Sequence, residues 1–241
     1  MTTPTSTAPD STVEPLRLVV LSAGLSTPSS TRMLADELTR AVTSEAGARP
    51  VSTVVVELRE HAHEITDLML TRFPGERLSP VIDAVRRADA VIAVTPVFNI
   101  GPSGLFKMFV DAVDKEIWNG RPVLLGATAG TARHSLAIDY ALRPMFAYLK
   151  AELAPTAVFA ASADFGADTE GQGDEQPLAA RVRRAARELL LLVAGTSGAD
   201  GGDAADGAGI PAGPAAHART VAVGLDDEFA DFVPMGSLLG R

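Results

Sequence analysis

Short apolar runs separated by longer amphipathic stretches recur from residue 16 onward, and their alternation is the first constraint on the fold. Residues 16–21 are apolar except for Arg17, the signature of a strand buried on both faces. Residues 30–46 then repeat apolar side chains at helical spacing, with Leu34, Leu38, Ala41 and Val42 on one stripe. A β-branched run covers 51–56, and a less regular segment, 58–79, follows it. Residues 83–88 belong to a helix that leads into a third strand at 90–94. Leu105, Phe106, Phe109, Val110 and Val113 mark a helix over 105–113, and a fourth strand covers 123–127. A long helix broken at Pro144 spans 135–152, a fifth strand falls at 157–160, and a last amphipathic helix covers 178–193.

Strands alternating with helices of ten or more residues predict βαβ units and a mainly parallel sheet. Five such strands predict an α/β, three-layer, doubly wound domain over 16–194, with sheet order 2-1-3-4-5. In such a sheet the ligand crevice opens beyond the carboxyl ends of the strands, where the order reverses. The loops after strands one, three and four are therefore the ones to inspect.

Outside 16–194 the periodicity fades. Residues 1–15 begin with a Thr-, Ser- and Pro-rich stretch, expected to be a disordered leader, and lack the basic end and apolar core of an export signal. Residues 195–220 are rich in Gly, Ala and Asp and read as a linker. Residues 221–241 recover apolar side chains at Phe229, Phe232, Val233 and Met235; they are either a segment that docks on the domain or a partner, or an unstructured end. No apolar run approaches the roughly 20 residues of a membrane helix, and with no export signal the expected location is the cytoplasm. The absence of cysteine excludes disulfides, thiolate nucleophiles and cysteine-ligated metals. The formal net charge is −9, and Arg181-Val182-Arg183-Arg184 reads as a solvated helix face, so no basic surface for nucleic acid is present.

The loop after strand one, Gly24-Leu25-Ser26-Thr27-Pro28-Ser29-Ser30-Thr31, feeds directly into a helix. A helix start offers unpaired backbone N–H groups and the positive end of the helix dipole, and a phosphate there gains from both. Ser26, Ser29, Ser30 and Thr31 add donors without bulk, and Gly24 permits close approach or a positive φ. The loop has neither the Gly-Lys-Ser/Thr of a Walker motif nor the spaced glycines of a dinucleotide fingerprint. The competing reading is that Ser30 or Thr31 simply caps the helix. Arg32 reaches a phosphate in one reading and pairs with Asp36 on the surface in the other.

The loop after strand three, Thr95-Pro96-Val97-Phe98-Asn99-Ile100-Gly101-Pro102-Ser103-Gly104, has two prolines and two glycines that stiffen it, with an aromatic and an amide near its tip. The loop after strand four, Gly126-Ala127-Thr128-Ala129-Gly130-Thr131, is again small and hydroxylated. Together they outline a crevice for a flat, anionic ligand such as flavin mononucleotide (FMN). Composition and spacing carry the reading to a nucleotide-like ligand and no further.

Specific runs add a resemblance. Ala93-Val94-Thr95-Pro96-Val97-Phe98, then Ser103-Gly104-Leu105-Phe106-Lys107, then Ala127-Thr128-Ala129-Gly130-Thr131 with His134, and finally the run from Leu136 to Pro144, stand in the order and spacing of one family. Over roughly 16–160 the chain resembles the NAD(P)H-dependent FMN reductases of the flavodoxin-like superfamily, especially the alkanesulfonate-type reductases. The resemblance implies hydride transfer from NADPH or NADH to FMN, and delivery of reduced flavin to a luciferase-like monooxygenase. It implies a phosphate site at Gly24, Ser26, Ser29, Ser30 and Thr31. It also implies an isoalloxazine lined by Thr95, Pro96, Val97, Phe98 and Asn99, closed by Thr128, Gly130 and Thr131, with no catalytic side chain. The chain departs from the family where Ser26 and Thr31 stand for an Arg and an Asn, and where Pro102 replaces an aromatic.

Rival readings are a quinone or azo reductase with tightly held FMN, and a flavodoxin-like electron carrier. A carrier flanks its ring with aromatics, whereas the second loop offers only Phe98 and the third none. A hydrolase would need a Gly-x-Ser-x-Gly elbow, which is missing. His61-x-His63-Glu64 has the content of a metal cluster but reads as a solvated segment. The helices bearing Phe106 and Phe109, and Tyr140 and Tyr148, carry more apolar surface than one sheet face needs, which predicts a homodimer or homotetramer.

Overall fold

The computed structural model describes residues 14–165 and 177–197. The expected leader up to residue 13, and the expected linker and C-terminal segment beyond Ser197, lie outside the described residues. The chain runs through β1 (Leu16–Ser22), α1 (Ser30–Glu45), β2 (Val51–Glu57), α2 (Ala62–Thr71), α3 (Ser79–Arg87), β3 (Ala90–Phe98) and β4 (Gly101–Pro102). It continues through α4 (Gly104–Ala112), β5 (Pro122–Ala129), α5 (Arg143–Tyr148), β6 (Glu152–Leu153), β7 (Val158–Ala161) and α6 (Leu178–Ser197).

The long strands are parallel, in the order β2-β1-β3-β5, and β6 and β7 both pair with the far edge of β5. The two short strands share the place of one fifth strand, so the order is the expected 2-1-3-4-5, the flavodoxin-like arrangement. The split has a local cause. Pro155 has no N–H to give to a ladder, and the excursion around it is satisfied from elsewhere. Arg143 donates to the Ala154 and Pro155 carbonyls, and Thr156 donates its N–H and its hydroxyl to Glu188 of α6.

Alternate strand residues face opposite layers, as the two-residue strand period demands. Leu18, Val20, Ile92, Val94 and Leu124 pack with Leu34, Leu38 and Val42 of α1 and with Val182, Ala186, Leu189 and Val193 of α6. Val19, Leu21, Val91, Ala93 and Leu125 face the other side, against Ile65 and Leu68 of α2, Val85 of α3, and Phe106 and Phe109 of α4. There Phe146 of α5 meets Trp118 edge-on at 5.2 Å between ring centroids and Phe106 at 6.3 Å. Such aromatic pairs add about 0.5–1.5 kcal/mol each beyond area burial. Phe106 and Phe109 are thus wholly buried inside one chain, so the apolar surplus expected on their helix is core.

Two elements differ from expectation. The irregular stretch after β2 contains a helix, α2, which the sequence hides because His61 at its N-cap makes no side-chain bond and only Ile65 and Leu68 are buried. In place of the long helix expected over 135–152, a 3₁₀ turn at Ala132–His134 is followed by a π-helical turn at Ile138–Leu142 and then α5. Pro144 sits in the first turn of α5, where a missing N–H costs little.

Candidate functional site

At the carboxyl ends of β1, β3 and β5 the three loops singled out from the sequence converge on a cleft of about 250 Å³. Its wall contains Gly24, Ser26, Ser29, Ser30 and Thr31 from the first loop, Pro96, Val97 and Phe98 from the second, and Thr128 and Gly130 from the third. Leu25, Ala129 and Ser162 complete it. Ser162 follows β7, and the rule that directs attention to strand ends would have found it. Three expected residues stand off the wall. Thr95 is fully buried and accepts from the Ser103 N–H at 3.0 Å, and Asn99 and Thr131 are not among the residues that line the cleft.

The first loop owes its shape to packing and capping. A Cβ on Gly24 would stand 2.0 Å from Ser29 Oγ, so glycine is required by close approach, not by a left-handed backbone. Ser29, one residue before the expected caps, is the N-cap of α1, and its Oγ accepts from the Arg32 N–H at 3.2 Å. Ser26 Oγ donates to the Pro28 carbonyl at 2.9 Å. Thr31 is buried and shares a 2.9 Å hydrogen bond with Thr128, which ties the first loop to the third. Ser30 is exposed in the first turn of α1. The cleft therefore offers an anion hydroxyls and the free N–H groups of a sixteen-residue helix.

Among the described residues, no charged side chain lines the cleft. The cations nearest the first loop are bound to carboxylates. Arg32 reaches Asp36 at 2.8 Å and Glu57 at 2.7 Å, so its surface reading is the one realised. Hydrogen bonding to Asp36, ahead of the opposing effect of burial, raises its pKa above the ordinary arginine value. Arg59, in the 3₁₀ turn Leu58–His61 after β2, pairs with the other oxygen of Glu57 at 2.8 Å. Its Nη1 also donates to the Ser26 carbonyl at 3.1 Å and to Thr27 Oγ1. Glu57 and Arg59 end and follow β2, outside the three loops that the reversal of strand order singles out.

Other candidates lie apart from the cleft. Glu64 accepts from the Leu78 N–H at 2.8 Å, and among the described residues no group of three His, Asp or Glu side chains is placed to hold a metal. A second cavity, of about 670 Å³, is lined by Arg17, Arg86, Asp89 and Arg121 among others. There Arg17 bonds Asp89, Arg86 bonds Asp83, and Arg121 donates to the Ile117, Ala88 and Arg86 carbonyls. No helix among the described residues is long and apolar enough to cross a membrane.

A doubly wound parallel sheet with a small-residue, uncharged cleft at its strand ends defines a flavodoxin-like α/β protein. Residues 16–166 match the family described as NADPH-dependent FMN reductase, and the chain belongs to that family of oxidoreductases. It is 34% identical over 184 residues to an FMN reductase (NADPH) of Pseudomonas aeruginosa, covering 76% of this chain and 95% of the relative. It is 36% identical over 174 residues to the NADH-dependent FMN reductase SfnF of Pseudomonas fluorescens, covering 71% and 89%. Among solved structures, an oxidoreductase from Corynebacterium diphtheriae superposes with a TM-score of 0.69 at 42% identity, covering 75% of this chain and 98% of that one. The chain is thus an NAD(P)H-dependent FMN reductase by family, as its sequence motifs implied.

Proposed function

We propose that the cleft binds FMN with its phosphate on the first loop and its ring between the second and third, and that reduced flavin then leaves for a flavin-dependent monooxygenase. The observation that carries the placement is the uncharged wall of small residues set against the N-terminus of α1. The donor set suits a phosphate: Ser26, Ser29 and Ser30 stand at the cleft beside the N–H groups of the first turn. Gly24 lets the first loop fold tightly against Ser29, which holds the hydroxyl of that N-cap residue at the start of α1. Pro96, Val97 and Phe98 supply an apolar edge for a ring, and Thr128 and Gly130 leave room opposite.

Bound FMN supplies the hydride acceptor, its N5, to a nicotinamide laid against it. The chain itself contributes position: it holds the phosphate, fixes the ring plane and leaves one side open, with no general acid or base among the lining residues. An association into dimers or tetramers and a cytoplasmic location complete the reading.

The test is oxidation of NADH and of NADPH by the purified protein, with and without added flavin. Turnover with at least one nicotinamide is expected only when FMN or riboflavin is present. Absence of flavin-dependent turnover with both would refute the reading.

A further inference from the structure

We propose that Glu57 and Arg59 govern how selectively and how tightly the first loop takes a phosphorylated flavin: Arg59 positions the loop, and Glu57 restrains the two arginines nearest to it. This rests on the placement of FMN proposed above.

Among the described residues the cleft wall carries no charge of its own, and the cations nearest the first loop stand behind it. Two arginines stand there, and one carboxylate holds both. Glu57 Oε2 lies 2.8 Å from Arg59, and Glu57 Oε1 lies 2.7 Å from Arg32 Nη1. Asp36 takes a further Arg32 nitrogen at 2.8 Å. Two guanidinium groups and two carboxylates cancel formally, and the Glu57 side chain is only 17% exposed, so solvent screens it less than an open surface pair.

Arg59 acts on the loop itself. It takes the Ser26 carbonyl at 3.1 Å and the Thr27 hydroxyl. A carbonyl bonded to a guanidinium is withheld from an anion that it would repel. Ser26 lines the cleft, so the bond reaches the wall at one residue's remove. The result is a loop shaped for phosphate yet backed by no net positive charge. Such a site suits a flavin that enters and leaves with each turnover, whereas an unpaired cation would retain it.

Arg59 is a positioning residue and Glu57 an affinity-setting one, and the comparison of FMN with riboflavin, which lacks the phosphate, isolates both. Dissociation constants from flavin fluorescence titration and KM values are measured for each flavin, with thermal melts to establish that every variant is folded. Arg59→Met is expected to weaken FMN tenfold or more and to leave riboflavin within twofold. Arg59→Lys is expected to recover part of the loss, since it restores charge without the forked geometry. Glu57→Gln is expected to tighten FMN several-fold and leave riboflavin unchanged, a gain that mere damage to the fold would not produce. Equal weakening of both flavins by Arg59→Met, or weaker FMN binding by Glu57→Gln, would overturn the proposal. If the wild-type protein binds neither flavin, the placement of FMN itself fails and this inference with it. If it binds FMN and the variants match it, only this inference fails.

Discussion

Ile100 has a φ of 65°, in the left-handed region that a β-branched residue rarely enters. With Asn99 at a φ of 50°, it forms the centre of the tight turn that joins β3 to β4, where Phe98 pairs with Gly101. Two successive left-handed residues are the mark of a hairpin turn that asks for Asn-Gly. Asn99 meets that demand and Ile100 does not. The residue is 66% exposed, so little burial offsets the strain. Strain of this kind collects at ligand-contacting segments, and Phe98 at the base of the turn lines the cleft. Ile100→Gly is therefore expected to stabilise the protein by about 1 kcal/mol, raising Tm by a few degrees in thermal denaturation; an unchanged or lower Tm would count against the strain. Residue identity made these loops legible as small, polar and rigid. It did not reveal which hydroxyls are already spoken for. Thr31 bonds Thr128 across 97 residues of chain, and Thr95 bonds Ser103. Those partners are set by tertiary structure, as is the reach of Arg59 to Ser26.

The broken edge of the sheet shows how one element depends on another. The chain between β6 and β7 keeps its hydrogen bonds because Glu188, one turn from Arg184 on α6, accepts from Thr156. Burial pushes the Glu188 carboxyl up, but bonds from Arg184 and Thr156 outweigh it and hold its pKa below the ordinary value. Asp89 follows the same balance, with burial opposed by the stronger pull of Arg17. A carboxylate whose pKa is lower folded than unfolded stabilises the fold above the unfolded value, about 4, and stops doing so as pH falls through the folded value. Stability is therefore expected to be level from neutral pH down to about 5 and to fall below about 4, as read by denaturant titration at each pH. Glu188→Gln should lower stability at neutral pH by about 1 kcal/mol and shrink the acid-induced loss; an unaltered acid limb would show that Glu188 contributes nothing there. At this level the sequence was most legible where one face repeats, as on α1 and α4. It was least legible where capping signals are absent, as on α2, and before Pro155, where the two-residue β6 is too short to announce itself, although β7 falls within a residue of the strand expected at 157–160.

Layer order and cleft position follow from alternation alone: two helices bury one sheet face, four the other, and the loops at the carboxyl ends are left to meet a ligand. Of the two helices expected to carry surplus apolar surface, only the one bearing Tyr140 and Tyr148 leaves large side chains outside. Phe106 and Phe109 are spent inside the core, filling the space between α2, the sheet and Phe146. Large apolar side chains remain outside on the stretch that leads through the π-helical turn into α5, where Leu136 is exposed, Tyr140 is 78% exposed and Tyr148 82%. Apolar side chains gathered on one stretch of surface are a reason for self-association. Asp139, in the same turn, is bonded to Arg143, so its charge is paired within the chain. Light scattering at micromolar concentration is expected to give a mass at least twice that of one chain. Replacing both tyrosines, Tyr140→Glu with Tyr148→Glu, should shift that mass to the monomer while leaving the far-UV circular dichroism unchanged. A wild-type monomer, or an oligomer indifferent to both substitutions, would remove this face from consideration.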